Sequence, residues 1–243
     1  MISDVHIGAP HSKVKEAAEF LSSVDCDRLI MNGDIIDGWQ LKNSSDKWTV
    51  VHSAFFYVIM KMMEKHSTEV IYVTGNHDDF LDPLVPSKMA NITLVNEYII
   101  KEKNHSYVVI HGHAFDSITA RLTFLAKLGD VAYNLLLKFN NVWNRARLKR
   151  GKEYYSLSKV IKHKVKQAVS AISGFESDLD SFARAKGCDG IICGHIHTPE
   201  DKYLKSGVHY LNSGDWVESL TALTEDYDGN WSVVKFSDFI NRK

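Results

Sequence analysis

Gly33-Asp34-Ile35-Ile36-Asp37 follows the apolar run Leu29-Ile30-Met31-Asn32 as a turn follows the carboxyl end of a buried parallel strand. A carboxylate at such a strand end suits metal ligation. Three more strand-like runs end in residues of the same kind: Val70-Ile71-Tyr72-Val73 leads into Thr74-Gly75-Asn76-His77-Asp78, Tyr107-Val108-Val109-Ile110 into His111, and Gly190-Ile191-Ile192-Cys193 into Gly194-His195-Ile196-His197. Ahead of them stands Ile2-Ser3-Asp4-Val5-His6. Open α/β sheets gather ligands in the crevice outside the carboxyl ends of their strands. Five segments spread over almost the whole chain can therefore converge on one site, with Asp34 at its centre.

With 243 residues, 44% hydrophobic content and four prolines, the chain is long enough for one well-buried α/β domain carrying an inserted subdomain, and it is not a disordered protein. Its three cysteines, Cys26, Cys188 and Cys193, form no Cys-x-x-Cys pair and are odd in number, which points to reduced thiols in a cytoplasmic setting. The N-terminus has no basic region followed by a long apolar stretch, so neither a signal peptide nor a spanning helix is expected there. The strand feeding Asp4 has at most three residues, which leads to the expectation that the native start lies upstream.

The formal net charge is −1, yet residues 117 to 173 carry twelve Lys or Arg against Asp130 and Glu153, a local excess of ten positive charges beside an acidic remainder. Such asymmetry bears on partners where the total does not. Elsewhere, Val14, Ala17, Ala18 and Leu21 recur at helical spacing between the first two strand ends. Val51, Ala54, Phe55, Val58 and Met62 form a second such stripe before the strand ending at Val73. From Ser117 to about Ser173 the pattern turns helical, with Leu122, Leu125, Leu128, Leu135, Leu136 and Phe139 broken by charges; this is read as a helical cap inserted into a single domain spanning 1–243. Phe175, Leu179, Phe182 and Ala183 return to the spacing of a surface helix. In the tail, Val208 to Leu211, Leu220 to Leu223 and Trp231 to Phe236 alternate like strands and suggest a second, mostly antiparallel sheet closing a sandwich.

Asp-x-His, Gly-Asp, Gly-Asn-His-Asp, His and Gly-His-x-His, in this order, resemble the signature of the calcineurin-like metallophosphoesterases. The resemblance implies an α/β fold, a β-sandwich flanked by helices in α/β/β/α layers. It implies a pair of divalent cations bridged by Asp34: Asp4, His6, Asp34 and His197 would hold one, and Asp34, Asn76, His111 and His195 the other. Nitrogen and oxygen ligands without thiolate suit Mn²⁺, taken first, and equally Fe²⁺, Zn²⁺ or Mg²⁺. The implied chemistry is metal-assisted hydrolysis of a phosphoester or pyrophosphate by an activated water. His77 would protonate the leaving oxygen, oriented by Asp37; the protein Ser/Thr phosphatases pair an Asp and a His at these two positions.

Those phosphatases place Arg directly after that Asp, whereas Gly38 and Trp39 follow here. Asp37-Gly38-Trp39, the basic insert and the tail Ser213-Gly214-Asp215-Trp216 look more like the UDP-2,3-diacylglucosamine pyrophosphatase branch, a step of lipid A precursor synthesis. Members of that branch usually carry Arg where His77 stands and an acidic residue near the position of His113, whose role stays open between metal contact and a hydrogen bond behind the ligands. The implied partner is a phosphorylated substrate such as a lipid-linked nucleotide, with peripheral membrane contact through the cap, where Arg145, Arg147, Lys149 and Arg150 form the densest basic cluster for substrate binding. Two alternatives stand beside this reading: a phosphodiesterase or nuclease acting on nucleotides or nucleic acid, and a non-catalytic interaction module, against which the complete ligand set argues. His11, His52, His105, His163 and His209 read as ordinary core or surface residues.

Overall fold

A computed structural model describes residues 1–43, 48–101, 105–115 and 175–240. The chain divides into two compact units, residues 1–113 with 179–243 and residues 114–178. The expected cap at 117–173, with Arg145, Arg147, Lys149 and Arg150, lies outside the described residues. Among the described residues no helix is long and apolar enough to cross a membrane.

The first unit is a mixed α/β sandwich of two sheets. In chain order its elements are α1 (Val14–Leu21), β1 (Arg28–Asn32), α2 (Gly38–Asn43), α3 (Val50–His66), β2 (Glu69–Val73), β3 (Ser87–Met89), β4 (Ile92–Val95), β5 (Glu97–Lys101) and β6 (Ser106–Ile110). These are followed by α4 (Phe175–Ala185), which begins in the second unit, then β7 (Gly190–Cys193), β8 (Glu200–Tyr203), β9 (His209–Asn212), β10 (Thr221–Glu225), β11 (Trp231–Lys235) and α5 (Phe236–Ile240). One sheet has the order β1-β2-β4-β3, with β1, β2 and β4 parallel. The other has the order β5-β6-β7-β9-β8, a parallel centre of β6, β7 and β9 flanked by antiparallel edges.

Strand alternation assigns the two faces of the first sheet. Leu29, Met31, Val70 and Tyr72 pack with Val14, Ala17 and Leu21 of α1 and with Phe55, Ile59 and Met62 of α3. Ile30, Ile71 and Val73 point the other way, onto Ile100, Tyr107, Val109, Ile192 and Leu211 of the second sheet. β1 and β2 are thus apolar on both faces, which is why their sequences run hydrophobic without alternation. The segment before Asp4 is short but well held: Ile2 bridges Met31, and Met1 exchanges backbone hydrogen bonds with Leu223 of β10.

Two expectations are corrected. The tail does not form one antiparallel sheet: β9 joins the second sheet parallel to β7, while β10 and β11 form a separate hairpin that extends the first sheet through Met1. Sequence alternation reports that a strand has two faces and does not report its neighbour. In α3 the buried stripe is Phe55, Ile59 and Met62, whereas Val51 is 42% exposed and Ala54 is also exposed. That helix is apolar on several sides, so spacing alone allows more than one stripe.

Trp216 is completely buried, with its ring centroid 5.4 Å from Phe20 and 5.9 Å from Phe236. It ties α1, the tail and the ligand segment, since its amide donates to the Asp4 carbonyl and its carbonyl accepts from the Lys13 amide. Trp216→Ala is expected to lower stability by about 3–5 kcal/mol, read as a fall in the urea midpoint at unchanged slope.

Candidate metal centre

The strand-end segments bend sharply to aim their side chains into one crevice. Asp4 (φ 53°), His6 (φ 52°), Asp34 (φ 53°), His195 (φ 62°) and His197 (φ 51°) all adopt left-handed backbone conformations. Non-glycine residues held there cost on the order of 1–3 kcal/mol each and persist only where the surroundings over-determine them. Here the surroundings are other ligand loops. The Asp4 amide donates to the Gly33 carbonyl at 3.0 Å and the His6 amide to the Asp34 carbonyl at 2.8 Å. The Gly194 amide donates to the His111 carbonyl at 3.1 Å, and the His195 amide to the Asp4 carboxylate at 3.0 Å.

Two glycines make the approach possible. A Cβ on Gly33, at φ 76°, would lie 2.3 Å from His111 Nδ1, and one on Gly75 would lie 2.3 Å from Asp34 Oδ1. Any side chain at either position would push a ligand out of the crevice.

Asp34 lies at the middle of what results. Its Oδ2 is 3.1 Å from His111 Nε2 on one side and 3.8 Å from His6 Nε2 on the other. His6 Nε2 is in turn 3.4 Å from His197 Nε2, and His197 Nε2 is 3.0 Å from Asp4 Oδ1. Three groups can each offer converging ligand atoms: Asp4, His6 and His197; His6, Asp34 and His77; Asp34, His111 and His195. Asn76 Oδ1 is shut off from solvent and accepts no hydrogen bond from any described residue. A buried acceptor with no donor, one residue after Gly75 at the Asp34 carboxylate, fits a cation.

The charges are arranged to match. Burial alone would raise the Asp34 carboxyl, but His111, His6 and His77 outweigh it and hold it well below the usual carboxylate range. Asp4 is lowered in the same way, burial being outweighed by His197 and His111. Burial works against a charge on His111, yet Asp34 and Asp4 raise it to about 10. Both carboxylates are therefore ionised, and the proton on His111 is one that a bound cation would displace.

Beside this cluster, Asp37 serves three groups at once. Its Oδ1 accepts the Gln40 amide at 2.8 Å, which caps α2, and lies 3.1 Å from His77 Nδ1; its Oδ2 lies 3.4 Å from His6 Nδ1. The His77 amide donates to Asp34 Oδ1 at 2.8 Å, so backbone and side chain of His77 touch two different carboxylates. His113 is exposed on a short 3₁₀ turn, its ring 5.6 Å from that of His111 and 6.4 Å from that of His195, and it belongs to none of the three groups.

Sequence reasoning missed the residues that hold the loops together. Asp78 is buried, accepts the amides of Ile35, Ile36 and Gly75 and the Tyr72 hydroxyl, and so pins the Asp34 loop to the Asn76 loop. Burial and then Asp34 raise its carboxyl to about 6. Asp215, also buried, accepts the amides of Val217, Glu218 and Ser219 and lies 3.9 Å from His197 Nδ1. Nothing in the spacing of Asp78 separates it from a fifth ligand; only its three amide donors do.

The calcineurin-like phosphoesterase family matches residues 1–199. A UDP-2,3-diacylglucosamine hydrolase of Shewanella pealeana is 24% identical, over 94% of this chain and 94% of that protein. A UDP-2,3-diacylglucosamine hydrolase of Xanthomonas axonopodis pv. citri is also 24% identical, over 94% of this chain and 95% of its own. Among solved structures, vacuolar protein sorting 29 of Cryptosporidium parvum aligns over 96% of this chain and 93% of its own, with 14% identity and a TM-score of 0.44. On the extent of the family match and the ligand segments it contains, the chain belongs to the calcineurin-like phosphoesterases, metal-dependent hydrolases of phosphoester bonds.

Proposed function

We propose that this protein is a dinuclear hydrolase that splits the pyrophosphate of a lipid-linked nucleotide of the UDP-2,3-diacylglucosamine type. What supports two cations is the position of Asp34 Oδ2 between His6 and His111, which gives one carboxylate an imidazole on either side. What supports the substrate is the likeness to two UDP-2,3-diacylglucosamine hydrolases over nearly the whole chain. Divalent cations held there would polarise phosphoryl oxygens and supply a nucleophilic water at neutral pH.

The protein's own groups then divide the work. Asp4, His6 and His197 fix one side of Asp34, and Asn76, His111 and His195 the other. Asp37 Oδ1 stands 3.1 Å from His77 Nδ1 and takes up that side of the ring, which leaves Nε2 as the nitrogen that can give a proton to a leaving oxygen. The basic segment around Arg145, Arg147, Lys149 and Arg150 is assigned to anionic headgroups on sequence grounds.

A second reading, hydrolysis of an alkyl phosphodiester, is favoured by the 3.1 Å contact between His77 and Asp37. A leaving phosphate, with a last pKa of about 6, departs without a proton. An alkoxide, whose conjugate acid lies nearer the value of about 15.7 for water, needs one, and a positioned acid is worth roughly 10²–10⁴ in rate. A screen of UDP-2,3-diacylglucosamine against simple diesters with the Mn²⁺-reconstituted protein decides between the two; turnover of neither removes both.

Asp34→Asn is expected to abolish turnover and lower bound Mn²⁺ by at least one ion per chain in elemental analysis, because an amide bridges two cations poorly. Retention of both ions at near-normal rate would sink the dinuclear assignment. His77→Ala is expected to cost about 10²–10⁴ in kcat on an alkyl diester and far less on a pyrophosphate. Reversing the charges of Arg145, Arg147, Lys149 and Arg150 should weaken turnover of vesicle-borne substrate more than that of a small soluble ester. Equal losses on the two would make the segment structural.

A further inference from the structure

Among the described residues three side chains besides Asp34 stand against the ring of His77, and only one of them is a residue to which no role has been assigned. Asp37 Oδ1 meets its Nδ1 at 3.1 Å, and His6 stands edge-on with centroids 4.7 Å apart and planes at 86°. The third is Trp39, whose indole lies 4.2 Å from the imidazole with the planes tilted by only 34°. A charge contact at one ring atom leaves the plane of an imidazole undetermined; fixing it takes a second contact on the face of the ring. Asp37 cannot supply it, because the same carboxylate also serves His6 and the Gln40 amide.

The indole is itself tethered. Trp39 Nε1 donates to Asp79 Oδ2 at 3.3 Å, and the Gly38 amide donates to the His77 carbonyl at 3.0 Å, so the start of α2 and the loop carrying His77 are bonded to each other. Gly38, next to Trp39, packs directly on Phe80: a Cβ there would lie 2.6 Å from that ring. Yet Trp39 is 42% exposed, so burial of apolar area is a weak reason for a tryptophan at this place. An offset aromatic pair shifts a two-orientation equilibrium by about two- to tenfold, enough to matter for a group that must present one nitrogen to one atom.

We propose that Trp39, tethered by Asp79, is a positioning residue that fixes the plane of the His77 imidazole so that its Nε2 faces the leaving oxygen of the substrate. This rests on the reading of His77 as proton donor. The test uses the full chain reconstituted with Mn²⁺, with a thymidine dinucleotide as alkyl diester and bis(p-nitrophenyl) phosphate as an ester whose leaving group needs little acid. Trp39→Ala should lower kcat on the dinucleotide about two- to tenfold more than on the aryl ester, with KM within about twofold; Trp39→Phe should recover most of the loss, and Asp79→Ala should show a smaller loss of the same kind. In a His77→Ala background the further change to Trp39→Ala should add nothing.

A rise in KM at constant kcat, or a loss that persists without His77, would place Trp39 on the substrate instead and overturn the proposal. If His77→Ala shows no preference between the two esters, the proton-donor reading falls, and crystal structures decide the clamp separately. His77 spread over two orientations in Trp39→Ala and single in Trp39→Phe supports it; a single orientation keeping the Asp37 contact in Trp39→Ala removes it.

Discussion

Asp34 is an ionised carboxylate in an almost dry crevice, and the rest of the centre is arranged around the cost of keeping it there. Removing such a group from water costs several kcal/mol even after the protein relaxes. His111 at 3.1 Å and His6 at 3.8 Å offset that cost on the two sides of one oxygen, while Oδ1 accepts the His77 amide. The carboxylate has little conformational freedom left. Its position is dictated by the β1 turn, by Gly75 opposite and by the imidazoles, so whatever binds in the crevice meets a preformed acceptor.

The same economy explains the backbone. Five of the residues that point into the crevice have left-handed φ, an arrangement that would relax if each loop were alone. None is alone. The turn after β1 is bonded to the segment after Ile2, that segment to the turn after β7, and the turn after β7 to His111 at the end of β6. Asp78 adds the last link by gathering amides from both the Asp34 and Asn76 loops. Loss of that carboxylate would leave three buried amides without an acceptor, a larger penalty than the loss of one hydrogen bond.

Much of this could be read from the chain before any coordinates. A buried strand that ends in Gly-Asp or Gly-Asn-His advertises itself, because the hydrophobic run and the polar ligand are adjacent in sequence. The convergence of Asp4, His6, Asp34, His111, His195 and His197 was legible for that reason, and so was the α/β fold. What could not be read depends on long-range placement. Alternation in Thr221–Glu225 showed a strand but not that its second edge would meet Met1. Apolar residues around α3 showed a helix but not which side it buries. Asp78 and Asp215 look like any other acid until their amide donors are seen, and Trp39 looks like surface until it is found against His77.

The seam between the two sheets explains why a single residue type at the end of β1 matters. Asn32 Nδ2 donates to the Ile110 carbonyl at 2.9 Å, which fastens the first sheet to the second just beneath the crevice. Its own carbonyl lies 2.9 Å from His111 Nδ1. A carbonyl can only accept, so that contact places a proton on Nδ1 and leaves Nε2 as the nitrogen that addresses Asp34. The asparagine side chain thereby fastens the two sheets, while the backbone carbonyl of the same residue sets the tautomer of the histidine that follows β6. Aspartate at this position would repel the Ile110 carbonyl and add a further carboxylate below the centre. Leucine would fill the space yet leave the Ile110 carbonyl without its donor, in a layer from which water is excluded.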